Sequence, residues 1–95
     1  MIDQNELDWK ILCVQKDSKI WDLKDFEESN PGRLEAIKIW FETIKTYDGK
    51  ARNVIESNRR VYSVDETLEI ISENSHSYQK LRQGKIKNPG LWLGK

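Results

Sequence analysis

Leu34, Ile37, Phe41 and Ile44 recur at spacings of 3, 4 and 3, with Trp40 beside them. Val64, Leu68, Ile71, Ser75 and Tyr78 repeat the pattern further along, extended by Leu81. A 3.6-residue period puts each set on one stripe, so the chain holds two amphipathic helices, each with an apolar face that needs covering. The first reads as a helix of about 15 residues. Asn30 is its expected N-cap and Pro31 its first helical residue, since proline has no N–H to satisfy there. Asp48-Gly49 ends it. The second opens on a capping box, with the Ser63 hydroxyl bonding the Glu66 N–H and the Glu66 carboxylate returning to Ser63. Gly84 stops it.

The rest of the chain is less periodic. Trp9-Lys10-Ile11-Leu12-Cys13-Val14 is a short run of strand formers, and Gln4-Asn5 ahead of it suits a turn. Residues 1–14 therefore read as a strand end, a turn and a second strand, with Cys13 as a buried strand residue. Residues 21–28 give one or two helical turns, with Trp21 and Phe26 as candidate core contacts. Residues 50–62 are polar and loop-like, apart from a weak strand at Arg60-Val61-Tyr62. Asn88-Pro89-Gly90 is a turn before the apolar patch Leu91-Trp92-Leu93. The expected class is α+β: one or two strands, then two amphipathic helices. The segments are a strand or hairpin at 1–15, a helical region at 21–47, a final helix at 63–83 and a tail at 84–95.

Composition narrows the function classes. Lys plus Arg and Asp plus Glu are 16 each among 95 residues, a zero balance that argues against a polyanion-coating protein. One Cys rules out an internal disulfide and a multi-Cys zinc site, and one His, His76, rules out a His cluster. No apolar run is long enough for a transmembrane helix, and the acidic start Met1-Ile2-Asp3-Gln4-Asn5-Glu6 lacks the apolar stretch of a signal peptide. These features fit a small soluble intracellular protein with no membrane or nucleic-acid partner; the expected compartment is the cytoplasm, with organellar targeting upstream of Met1 as the alternative. Charge is nonetheless segregated. Residues 1–30 hold eight acids against four bases, and no acid follows Glu73, while Lys80, Arg82, Lys85, Lys87 and Lys95 do. A basic helix end complements the helix dipole; a polyphosphate or nucleic-acid contact is the alternative.

One constellation bears on chemistry. If Asp3 and Asp8 flank a hairpin turn, their carboxylates can converge on one ion, and paired carboxylates with water ligands suit Mg²⁺. Lys10 shares a strand face with Asp8 and could contact a phosphate. The alternative is three solvated side chains around a turn. Lys45, at the end of the first long helix, either complements the dipole or reaches a phosphate. There is no Gly-rich phosphate loop and no Ser/His/Asp set.

Met1-Ile2-Asp3-Gln4-Asn5-Glu6-Leu7-Asp8-Trp9-Lys10 resembles the M-I-D-E-G-E-T-D-W-K segment of the family I soluble inorganic pyrophosphatases of animal and fungal type. Pro31-Gly32 followed by Trp40-Phe41 is similar to the family's P-G-x-L and W-F. Lys45 with Asp48-Gly49-Lys50 is similar to its Y-K-x-x-D-G-K. Leu68, Ile70-Ile71 and Tyr78 resemble its final helix. The resemblance implies Mg²⁺-dependent hydrolysis of pyrophosphate to two phosphates, with Asp3 and Asp8 as metal ligands, Lys10 as a catalytic phosphate contact and Lys45 as a second phosphate-binding lysine.

The resemblance also implies that this chain is the C-terminal portion of a larger enzyme, an OB-like five-stranded barrel with helices outside it. Ile44 stands at the family's Tyr position, Asn5 at its Gly and Leu7 at its Thr. The D-x-D-P-x-D motif, the glutamate ligands and a phosphate-binding Arg would all lie upstream of Met1. Two carboxylates cannot hold a cluster of several Mg²⁺ ions, so the chain alone is expected to be inactive. Exposed strand edges and an uncovered apolar face imply self-association into a dimer or higher oligomer. The alternative function is a non-catalytic helical interaction or oligomerisation module derived from the enzyme.

Overall fold

The computed structural model describes residues 1–94. The chain separates into two units, Met1–Ser63 and a second beginning at Val64.

The first unit opens with a two-stranded antiparallel hairpin, β1 (Ile2–Asp3) and β2 (Glu6–Leu7). Ile2 pairs with Leu7 and Asp3 with Glu6, so Gln4 and Asn5 form a two-residue loop. Both have positive φ, 50° and 68°, as a type I′ turn requires. The Asp8 N–H donates to the Met1 carbonyl at 2.8 Å, extending the ladder by one rung. Ile2 forms a bridge to Val54 on its other side. Residues 9–14 do not form the expected strand. β1 is engaged on both edges by Leu7 and Val54, and a strand exists only where its N–H and C=O groups find a partner. Cys13 is exposed rather than buried for the same reason. Trp9 is anchored differently, edge-on to Tyr62 with ring centroids 5.3 Å apart.

Helix α1 (Leu23–Ser29) is capped by Asp22, whose Oδ1 accepts from the Asp25 N–H; Asp25 in turn accepts from the Trp21 N–H. The Trp21 ring is 80% exposed, so it is not the core contact its position suggested; Phe26 is half-buried. Asn30 does not start the next helix. It closes α1, with its N–H donating to the Phe26 carbonyl, because Pro31 forces the residue before it out of helical geometry. Gly32, at φ 76°, is the N-cap of α2 (Arg33–Thr43).

Leu34, Ile37, Phe41 and Ile44 are all half-buried, as their spacing requires. α2 tightens into a 3₁₀ turn, Ile44–Asp48, which ends on left-handed Gly49. There the Gly49 N–H bonds the Thr46 carbonyl and the Lys50 N–H the Lys45 carbonyl, a Schellman closure.

The turn α3 (Glu56–Arg59) contains consecutive positive-φ residues Ser57, Asn58 and Arg59. Left-handed geometry costs roughly 1–2 kcal/mol per residue. It is held by Arg59, whose guanidinium bonds both carboxylate oxygens of Glu42 at 2.9 and 3.1 Å and reaches Glu35 at 2.7 Å. Residues 60–62 form no strand.

The second unit is helix α4 (Val64–Arg82) and a short tail. The helix begins one residue after Ser63, where the capping box predicts. It ends in a Schellman closure, Gly84 N–H to Leu81 and Lys85 N–H to Lys80. Asn88 holds the following turn, its Oδ1 accepting from the N–H groups of Gly90 and Leu91. The stripe Val64, Leu68, Ile71 and Tyr78 is exposed. Among the described residues no hydrophobic side chain is fully buried in either unit; the buried residue is Asn53.

Candidate functional site

The hairpin decides where the acids go. Side chains alternate across a strand, and Asp3 faces Glu6 across the pair. Asp8 lies two residues beyond Glu6 on the extended ladder, so Asp3, Glu6 and Asp8 share one face. With Lys45 they line a cleft of ≈ 490 Å³. Lys45 arrives from the 3₁₀ turn, and its Nζ bonds both oxygens of Asp3 at 2.5 and 2.6 Å. This pair joins residues 42 apart in sequence. Asp3 is the more shielded partner, at 17% side-chain exposure against 34% for Lys45. Shielded charged hydrogen bonds contribute about 1.5–3 kcal/mol.

Lys10 Nζ lies 2.8 Å from Asp8 Oδ2, in a more exposed pair whose contribution is about 0–1 kcal/mol. The same ammonium sits 5.4 Å from the centre of the Phe41 ring, a cation–π contact that anchors it to α2. The structure thus brings Asp3, Asp8, Lys10 and Lys45 to one hairpin face as two carboxylate–ammonium pairs.

Glu6 is a cleft residue that spacing alone did not single out. Its signal is alternation: once the turn is placed at Gln4-Asn5, Glu6 must share a face with Asp8. Asn53 carried no signal at all, being one Asn in a polar loop. Arg59 is half-buried, and its guanidinium pKa is raised above the ordinary arginine value, first by its bonds to Glu42 and then by Glu35. That cluster lies beside a second cavity of ≈ 310 Å³ lined by Leu23, Leu34 and Val61 among others.

Carboxylate oxygens are the donors Mg²⁺ takes, and Asp3 and Asp8 supply them across a cleft with room for waters and a phosphate. Each is already matched by an ammonium. Among the described residues no three His, Cys, Asp or Glu gather as one potential metal site.

A family model described as inorganic pyrophosphatase matches residues 1–79. The chain belongs to the inorganic pyrophosphatase family. It is 39% identical over 97 residues to the soluble inorganic pyrophosphatase 6, chloroplastic, of Arabidopsis thaliana, covering 98% of this chain and 32% of that protein. It is 33% identical to the soluble inorganic pyrophosphatase 1, chloroplastic, of Chlamydomonas reinhardtii, covering 93% of this chain and 33% of that one. The mitochondrial inorganic pyrophosphatase of Saccharomyces cerevisiae is 31% identical, with 92% of this chain and 29% of the relative covered.

No solved structure matches the chain. The chain spans about a third of the length of the pyrophosphatases it matches. Those relatives carry chloroplastic and mitochondrial names, and among the described residues no helix is long and apolar enough to cross a membrane.

Proposed function

We propose that this chain carries one wall of a pyrophosphate-hydrolysing site, which attacks the P–O–P linkage with water and releases two phosphates. In that reading the 95 residues are the C-terminal portion of a pyrophosphatase whose barrel supplies the remaining ligands, and the chain alone turns over no substrate. The observation that carries the reading is the pairing of two carboxylates with two ammonium groups on one hairpin face, Asp3 with Lys45 and Asp8 with Lys10.

Asp3 and Asp8 would hold Mg²⁺, which neutralises phosphate charge and lowers the pKa of a bound water. Lys45 and Lys10 donate to phosphate oxygens, replacing their present carboxylate partners. Both act as fixed positive charges opposite the charge that builds on the leaving phosphate. Phe41 limits the motion of Lys10, and the carboxylate of Asp3 aims Lys45 before any anion arrives.

Calorimetric titration of the chain with inorganic phosphate in excess Mg²⁺ tests this reading. Saturable binding is expected, weakened about tenfold or more in Lys45→Ala and in Asp8→Asn, as for loss of a charged hydrogen bond. Equal heats from wild type and both variants would remove it. No steady phosphate release from pyrophosphate is expected of the chain by itself, and release that vanished in Asp8→Asn would overturn the claim of inactivity.

A second reading, a non-catalytic interaction module, is favoured by the exposed stripe of α4 and by exposed Ile11, Leu12 and Val14. Such surface supports self-association of the chain as a dimer or higher oligomer. Light scattering that reports a monomer at millimolar concentration would count against it.

A further inference from the structure

Asn53 is 4% exposed and is the buried residue of the described chain. Its Nδ2 donates to the Phe41 carbonyl at 2.9 Å, and its backbone N–H donates to the Glu42 carbonyl at 3.0 Å. Both acceptors belong to the last turn of α2, where the helix tightens into the 3₁₀ turn that carries Lys45. The next residue, Val54, exchanges two backbone hydrogen bonds with Ile2, at 2.7 and 3.2 Å. Ile2 directly precedes Asp3. One dipeptide, Asn53-Val54, therefore ties the backbone that presents Lys45 to the backbone that presents Asp3.

The amide's orientation follows from chemistry. Turned over, Oδ1 would face the Phe41 carbonyl, acceptor against acceptor, so the NH₂ group must point to α2. This leaves Oδ1 buried with no hydrogen-bond partner among the described residues. A leucine would fill similar volume without stranding an acceptor, but it has no donor for the helix end. The donor is what the position uses, and the stranded oxygen is its cost.

We infer that Asn53 is a positioning residue, which locks the end of α2 to the hairpin and thereby holds the Lys45 ammonium on the Asp3 carboxylate. The functional value of that lock rests on the pyrophosphatase-site reading; the lock itself does not. It acts through Lys45 and touches neither metal nor phosphate.

The test is the hydrogen exchange of the lysine ammonium groups, followed by ¹H–¹⁵N NMR on the full chain, with Lys10 as internal reference. Lys10 is paired to Asp8 along its own segment and rests on the Phe41 ring of α2, so it reports whether the helix end and hairpin loosen as a whole. In Asn53→Ala, exchange at Lys45 is expected to accelerate about tenfold, the scale of a lost charged hydrogen bond, and the Ile2 amide to lose protection, while Lys10 is unchanged. Asn53→Leu keeps the volume, lacks the donor and strands no acceptor, so it should reproduce the effect if Asn53→Ala folds poorly.

Unchanged Lys45 exchange in both variants would overturn the inference. So would equal acceleration at Lys45 and Lys10, which would mean that Asn53 serves the fold and not the pair. Phosphate titration fails or succeeds separately: absence of phosphate binding to wild type, with the exchange pattern as described, would retire the pyrophosphatase-site reading and leave the lock standing.

Discussion

Residues 1–63 and residues 64–94 each carry one amphipathic helix, yet they are organised by different means. In the first, α2 is bound to distant segments by polar contacts: Asn53 at its last turn, Arg59 on Glu35 and Glu42, and Lys45 on Asp3 from the turn that follows. Its apolar stripe is half-buried. In the second, α4 is eight residues longer than α2, 19 against 11, and its stripe is open. Its long-reaching contact within the unit is the Tyr78 hydroxyl donating to the Leu93 carbonyl at 3.5 Å. A regular helix needs only its own backbone and caps. A site needs segments fixed across sequence distance, and every candidate site residue lies in the first unit.

The strongest test of this contrast is a proline in each helix. Ser72→Pro should cost α4 about 3 kcal/mol or more and remove most of its circular dichroism signal, while leaving the Lys45–Asp3 pair intact by NMR. Loss of that pair would show that the two units depend on each other. Ile39→Pro in α2 should destroy the pair along with the helix.

Next in size is the hairpin turn. Asn5→Val places a β-branched residue at φ 68° and should destabilise the hairpin by about 2 kcal/mol, read as lost protection of the Leu7 and Asp8 amides. Asn5→Gly should be tolerated.

A matched pair sharpens the comparison further. Gly49 and Gly84 both close helical segments at φ 75°, and a Cβ at either meets nothing within 4 Å. Gly→Ala should cost about 1 kcal/mol at each, through backbone conformation alone. Gly49→Ala should loosen Lys45 and speed its ammonium exchange. Gly84→Ala should only fray the end of α4.

The smallest dependence on pH is expected at Arg59. Its folded pKa lies above the unfolded value, so the stability it adds is fully present below about pH 12 and is lost only as pH rises through the folded value. Wild type and Arg59→Met should therefore differ by a constant amount in thermal midpoint from about pH 7 to about pH 11, and less in high salt. A gap that closed well below that upper limit would assign the effect to something other than the guanidinium.

Much of the helical framework was legible in the residues, because period and caps are local. The stripe from Leu34 to Ile44, the start of α4 after Ser63 and the stops at Gly49 and Gly84 all follow from spacing and stereochemistry. The turn at Gln4-Asn5 was equally local. The run 9–14 was misread as a strand because strand formation depends on a partner, and neither edge of β1 was free to offer one. Asn30 was misread because the constraint that Pro31 places on its predecessor outweighs the capping preference of Asn.

Asp3, Asp8, Lys10 and Lys45 were legible as candidate residues, and the roles proposed for them rest on the family resemblance. Their pairing was not legible, since it depends on contacts 42 residues apart in the case of Lys45 and Asp3. Asn53 and the Arg59 network were invisible for the same reason.

The four tryptophans give the open surface an optical consequence. Trp21 and Trp92 are more than three-quarters exposed, and Trp9 and Trp40 lie near the solvent boundary. Indole emission shifts to the blue when water is withdrawn from the ring, so in this chain the folded and unfolded states should emit at similar wavelengths. Denaturation followed by fluorescence would under-report folding. A blue shift on mixing with another polypeptide would instead mark the covering of these rings, which makes the intrinsic fluorescence a label for assembly.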